Sequence, residues 1–227
     1  MTTMTRGQVA KKVREAEEAG RRADLRGANL AGANLRGADL SDASLSDVDL
    51  TRAILTDAIL AGVDLTGTYL RDSDLANADL ANANLRNATL ANADLSDADL
   101  SDADLSDANL RGATLRGANL RGANLTRAIL RGADLANADL SWSDLTYADL
   151  ANADLTGAWL GRGLLTTKQL LDARGLQTEA HGLHWDTWEQ LLPANPQQRQ
   201  LVEHLLNDGW DGTLREAIAT VEGLAGR

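Results

Sequence analysis

Residues 93–110 read ADLSDADLSDADLSDANL, three full copies of one five-residue unit and the start of a fourth. From this stretch the unit runs outward in both directions without a slip of register. Leucine occupies every fifth position from Leu25 to Leu160, which makes 28 units. Two residues before each leucine stands a small residue. It is Ala in 23 units, and otherwise Val48, Val63, Thr68, Ser73 or Ser143. The residue just before Leu is most often Asp or Asn. The second residue after it is Gly, Asn or Asp almost throughout.

A period of five suits neither regular element. On an α-helix, five residues overshoot a full turn by about 140° and scatter the leucines over every face. On a flat strand, an odd period sends successive leucines to opposite sides. All the leucines share one interior only if the chain turns a corner once per unit. Leu and the small residue two before it then point inward from a short extended segment. The other three positions face out and form the corner. Gly, Asn and Asp tolerate the positive φ that tight corners need, and they recur at one place in the unit.

The units, such as Ala28-Asn29-Leu30-Ala31-Gly32 and Ala98-Asp99-Leu100-Ser101-Asp102, resemble those of the pentapeptide-repeat proteins. The resemblance covers residues 23–160. It implies an all-β solenoid, a right-handed quadrilateral β-helix with four units per coil and about seven coils. At about 4.8 Å per coil the rod is roughly 34 Å long. Leu25, Leu30, Leu35 and Leu40 then begin the four faces, and each buried Leu contributes about 1.5–3 kcal/mol before chain entropy is subtracted.

Three segments are expected: an N-terminal helical cap over 1–22, the β-helix over 23–165, and a C-terminal helical capping or interaction module over 166–227. Thr5 and Gln8 have capping-box spacing and Gly20 can end the first helix. In the tail, Asp186 with Glu189 and Thr213 with Glu216 repeat the capping-box spacing, while Asn195-Pro196 reads as another helix start. Caps are expected because an open coil end is an edge that invites aggregation.

Composition narrows the function. The 227 residues include no Cys, which excludes disulfides, thiolate metal sites and a cysteine nucleophile. No apolar run approaches the length of a membrane span, and the N-terminus lacks the apolar core of a signal peptide, so a cytoplasmic location is expected. The formal net charge of −11 disfavours direct binding to nucleic acid or anionic membranes and favours basic partners. The repeat region holds no His, Lys or Glu, a poor inventory for catalysis, so no enzyme activity, cofactor or metal is expected. His181 and His184, three apart near Asp186 and Glu189, read as surface histidines rather than metal ligands, since a Gly lies between them.

Charge is unevenly spread. Counting outward positions, the Leu25 face carries six Asp and three Arg, and the Leu30 face three Asp and four Arg. The Leu35 and Leu40 faces carry six Asp and two Arg each. The candidate acidic binding surface is therefore Asp74, Asp79, Asp94, Asp97, Asp99, Asp102, Asp104, Asp107, Asp134, Asp139 and Asp154. Six of these, Asp94 to Asp107, form a girdle around three faces. Some pentapeptide-repeat proteins are acidic rods that imitate duplex DNA and bind DNA gyrase or topoisomerase IV. The resemblance thus implies a non-enzymatic interaction scaffold, in its sharpest version a DNA mimic acting on a type II topoisomerase. The repeat region's 21 Asp and 11 Arg leave a net −10, about half the charge of an equal length of DNA at one charge per about 1.7 Å. Relatives of that kind often carry Phe where this chain has only Leu. The alternative is a structural or oligomerising protein whose acidic surface serves solubility. A second candidate surface joins Trp142, Tyr147 and Trp159, outward in the last two coils, to Trp185, Trp188 and Trp210 of the tail. Unburied aromatics side by side mark a contact, either with the chain's own C-terminal helices or with a second copy. Ile54 and Ile59 also point outward near the start of the rod.

Overall fold

The computed structural model describes residues 4–41, 43–160 and 163–164. The expected C-terminal helices, and with them Trp185, Trp188, Trp210 and all three histidines, lie outside the described residues.

The inward positions behave as one class. All 28 leucines from Leu25 to Leu160 are at most 2% exposed, and with the small residues beside them they form a single buried cluster. The three polar inward residues are satisfied by main-chain carbonyls. Thr68 donates to Leu45 O, Ser73 to Leu70 O and Ser143 to Leu140 O. A buried hydroxyl without such an acceptor would cost about 1–3 kcal/mol.

Each unit contributes a very short extended segment. Two reach strand length, β1 (Ala23–Asp24) and β2 (Ala43–Ser44), paired in parallel with Ala23 beside Ala43. The others form single parallel bridges, and every one joins a residue to the residue twenty further on, from Asn29 with Asp49 to Asp144 with Leu164. Twenty residues are four units, so each coil has four sides and each leucine lies over the leucine one coil away. The hydrogen bonds follow the same step. Leu100 N donates to Asn119 O at 2.7 Å, and Asn119 N donates to Ala98 O at 2.9 Å.

The corners have a local cause. The second residue after each leucine has φ near +60° at every described corner, sixteen times in a residue other than glycine. The third residue then donates to the leucine carbonyl, as Ala103 N does to Leu100 O at 3.1 Å. This is the pattern of a type II turn. Where Asp or Asn stands before the leucine, it braces the corner by accepting the N–H two residues on, as Asp49 does from Thr51 at 2.9 Å and Asn119 from Arg121 at 3.1 Å. Glycine matters sterically at Gly117 and Gly122. A Cβ there would collide with the Oδ1 of Asp97 and Asp102, which reach along the corner from the coil before.

Before the first coil runs α1 (Arg6–Glu18). Its start is a reciprocal capping box: Thr5 N donates to Gln8 Oε1 at 2.7 Å, and Gln8 N to Thr5 Oγ1 at 3.3 Å. Its end has Gly20 at φ 63° and a bond from Arg21 N to Ala16 O, a Schellman closure. Val9, Val13 and Ala16 lie on one side of α1 and join the buried leucine cluster. Met4 N also donates to Asn29 O, tying the chain before α1 to the first coil.

Candidate functional site

The twenty-residue step places each candidate carboxylate. The positions before Leu35, Leu55 and so on form one outward column: Asn34, Ile54, Asp74, Asp94, Thr114, Asp134, Asp154. The adjoining face carries Asp39, Ile59, Asp79, Asp99, Asn119, Asp139, Trp159. Asp74 therefore pairs directly with Asp94, Asp79 with Asp99, and Asp134 with Asp154. Like charges directly opposite in a ladder are destabilising. Asn would brace the corner equally well, as Asn119 and Asn124 do. The corner bond therefore does not require the negative charge at these rungs.

Arginines sort the eleven candidates. Arg127 grips Asp107 from one coil on, with Nε to Oδ1 at 2.6 Å and Nη2 to Oδ2 at 2.7 Å. This bidentate bond holds the Asp107 carboxyl below the usual carboxylate range. Arg86 lies 4.0 Å from Asp104, and Arg116 is 3.3 Å from Asp134. Asp74, Asp79, Asp94, Asp97, Asp99, Asp102 and Asp139 have no arginine partner among the described residues. Asp74 accepts from Thr56 Oγ1, Asp94 from Ser96, Asp99 from Asn119 Nδ2, and Asp154 from Thr156. The girdle from Asp94 to Asp107 is thus two kinds of surface. Asp94, Asp97, Asp99 and Asp102, on the Leu35 and Leu40 faces, have no described arginine against them. Asp104 and Asp107, round the next corner, are countered.

One feature of this surface was missed in reading the sequence by faces. Residues 108–133 contain five arginines, Arg111, Arg116, Arg121, Arg127 and Arg131, and no acid. Wound at twenty residues per coil, they form a basic belt that crosses all four sides. Arg127 reaches to the acidic coil before, while Arg116 and Arg131 pair with Asp134 and Asp149 after it. The belt divides the acidic surface into a block at 72–107 and a block at 134–154. A count of charge along the chain would have found it.

The apolar candidates among the described residues point outward. Trp142 is 52% exposed, Tyr147 81% and Trp159 45%. Ile54 and Ile59 are exposed too, as are Tyr69 and Ile129, which stand on the Leu30 face where the other units have Asp, Asn or Thr89. Two shallow clefts, of about 440 and 310 Å³, lie between α1 and the first coil, and no candidate carboxylate lines either. Among the described residues, no group of His, Asp and Glu is arranged to hold a metal, and no helix is long and apolar enough to cross a membrane.

Comparison with protein-family models matches residues 21–57, 58–97, 93–132 and 130–160 to pentapeptide repeats (8 copies). The chain belongs to the pentapeptide-repeat family. No curated protein matches it. Among solved structures it is similar to HetL, a pentapeptide-repeat protein involved in heterocyst differentiation regulation from the cyanobacterium Nostoc sp. strain PCC 7120. The identity is 30%, covering 74% of this chain and 84% of HetL, with a TM-score of 0.44. It is also similar to a trypsin-treated form of QnrB1, a plasmid-mediated fluoroquinolone resistance protein. There the identity is 21%, over 76% of this chain and 88% of QnrB1, with a TM-score of 0.57. The QnrB1 likeness shows the shared pentapeptide-repeat solenoid and nothing beyond the fold.

Proposed function

We propose that this pentapeptide-repeat protein is a non-enzymatic scaffold whose Leu35 and Leu40 faces receive a basic protein surface. The carrying observation is the stacking of Asp on Asp at rungs where Asn would serve the fold as well. Asp74 over Asp94 and Asp79 over Asp99 concentrate charge at a cost to the ladder, and no arginine among the described residues relieves them. Such a column steers a positively charged partner and fixes its register. The body is a right-handed rod of seven coils that α1 closes at its start. The buried side of α1 and the twenty-residue register support that reading.

In its sharpest form the partner is the DNA-binding saddle of a type II topoisomerase, occupied by the acidic block at 72–107. The basic belt bounds this block, so the contact is short and centred on Asp97 and Asp99. A gyrase supercoiling assay tests it. Inhibition or protection is expected at micromolar protein, weakened at least tenfold by Asp97→Arg with Asp99→Arg. No effect of the native protein on supercoiling removes the topoisomerase version. An effect that survives the charge reversal removes the acidic faces as its cause.

A further inference from the structure

We propose that Trp142, Trp159 and Leu164, rimmed by Tyr147, form the seat on which the chain's own residues 165–227 dock to close the last coil.

Three observations converge on this place. First, two successive corners carry aromatics in the left-handed conformation, Trp142 at φ 63° and Tyr147 at φ 62°. The other described corners hold Gly, Asn or Asp, apart from Arg52 and Arg127. Bulky residues are genuine outliers at positive φ, and persistent strain of this kind points to a role for the side chain. Second, the aromatics cluster. Trp142 and Trp159 stand on the Leu40 side one coil apart, and Leu164, 60% exposed, follows across the next corner, bridged to Asp144. Exposed apolar residues gathered on neighbouring positions at one end of the rod mark a contact.

Third, the last coil needs a cover, since an open coil end is an edge that invites aggregation. At the other end the equivalent cover comes from Val9, Val13 and Ala16 of α1. The chain leaves the described coils at Leu164, inside the patch, with 63 residues still to run. Charge does not draw the tail elsewhere. Residues 165–227 hold nine acids and five Lys or Arg, so the acidic faces repel them and an apolar seat is what remains.

The test uses the full chain. Trp142→Asn with Tyr147→Asn installs a residue that other corners carry, so the coil itself keeps its fold, which circular dichroism checks. Limited trypsin digestion then reads the tail at Lys168, Arg174 and Arg199. Cleavage at least tenfold faster than in the native chain, at unchanged mass by light scattering, is the expected result. Trp159→Asp, at a rung whose column already carries Asp, is expected to do the same. Unchanged cleavage in both variants overturns the proposal. A native mass of two chains that falls to one in the variants also overturns it, since the seat then belongs to a second copy.

Discussion

Two columns run the length of the rod, two residues apart in every unit. The inward column is leucine on all 28 rungs. The corner column holds Gly, Asn, Asp, Arg, Trp and Tyr. Both repeat every five residues and both are set by the same coil, yet one admits a single residue type and the other six. The difference lies in the size of the physical demand. An inward side chain fills a bore of fixed width and is fully dehydrated, at about 1.5–3 kcal/mol per leucine. A corner residue must only accept positive φ, a demand of about 1–2 kcal/mol that Gly, Asn and Asp meet readily. The weakly constrained column and the outward positions beside it are therefore where charge and aromatics can vary without unmaking the fold.

Replacing one rung is the strongest way to break this comparison. Leu100→Ala leaves a void between Leu80 and Leu120, which the stacked coils cannot close without losing their register. The expected loss is about 2–5 kcal/mol in denaturant unfolding. Asp102→Gly, two residues along the same coil, keeps the positive φ and is expected to change stability by no more than about 0.5 kcal/mol. Similar losses for both would mean that the corners, not the rungs, specify the solenoid.

The same asymmetry explains what could be read from the amino acids alone. The invariant Leu25-to-Leu160 spacing demanded one corner per unit, and the structure places a positive φ at the predicted residue of each described unit. The acidic candidates were legible as columns, since twenty-residue stacking follows from four units per coil. What was not legible was which carboxylates an arginine pairs. Asp97 and Asp107 look alike in SDA contexts, yet only Asp107 meets an arginine. That distinction depends on a side chain twenty residues away, Arg127, reaching down one coil. Trp142 and Tyr147 were visible as exceptions, but their strain required the backbone.

A smaller effect sharpens the charge side of the comparison. Asp99→Asn keeps the acceptor that braces Ser101 N and removes the repulsion from Asp79. Stability is expected to rise by about 0.2–1 kcal/mol at low salt, and the gain to shrink at about 1 M salt, where the Debye length is about 3 Å. If the acidic faces receive a basic partner, the same variant binds it more weakly while melting at a higher temperature. A lower melting temperature at low salt would show that the charge at this rung serves the fold.

The smallest expected effect concerns acid. Among the described residues, two carboxylates are held low by arginine, and they differ in how far the partner lies along the chain. Asp24 is held at about 2, chiefly by the side-chain hydrogen bonds of Arg26, two residues on. Asp107 is lowered chiefly by the bidentate bond of Arg127, twenty residues on. A carboxyl whose folded value lies below its unfolded value adds stability above the unfolded value of about 4, and that stability is lost as pH falls through the folded value. What counts is the gap between the folded and unfolded states. Arg26 stays beside Asp24 in the unfolded chain, so part of its lowering survives unfolding and drops out of the gap. Arg127 reaches Asp107 only when the coils are stacked, so its lowering belongs to the folded state alone. Both pairs are exposed, so the effect is small and screened by salt. Melting temperature followed from pH 6 to pH 2 at low salt is expected to fall less steeply below pH 4 in Asp107→Asn than in the native chain. Asp24→Asn is expected to flatten the curve less than its lower value alone would suggest. A larger flattening by Asp24→Asn than by Asp107→Asn would mean that the local pair forms only on folding, and that the stacked coils add nothing to the arginine clamp.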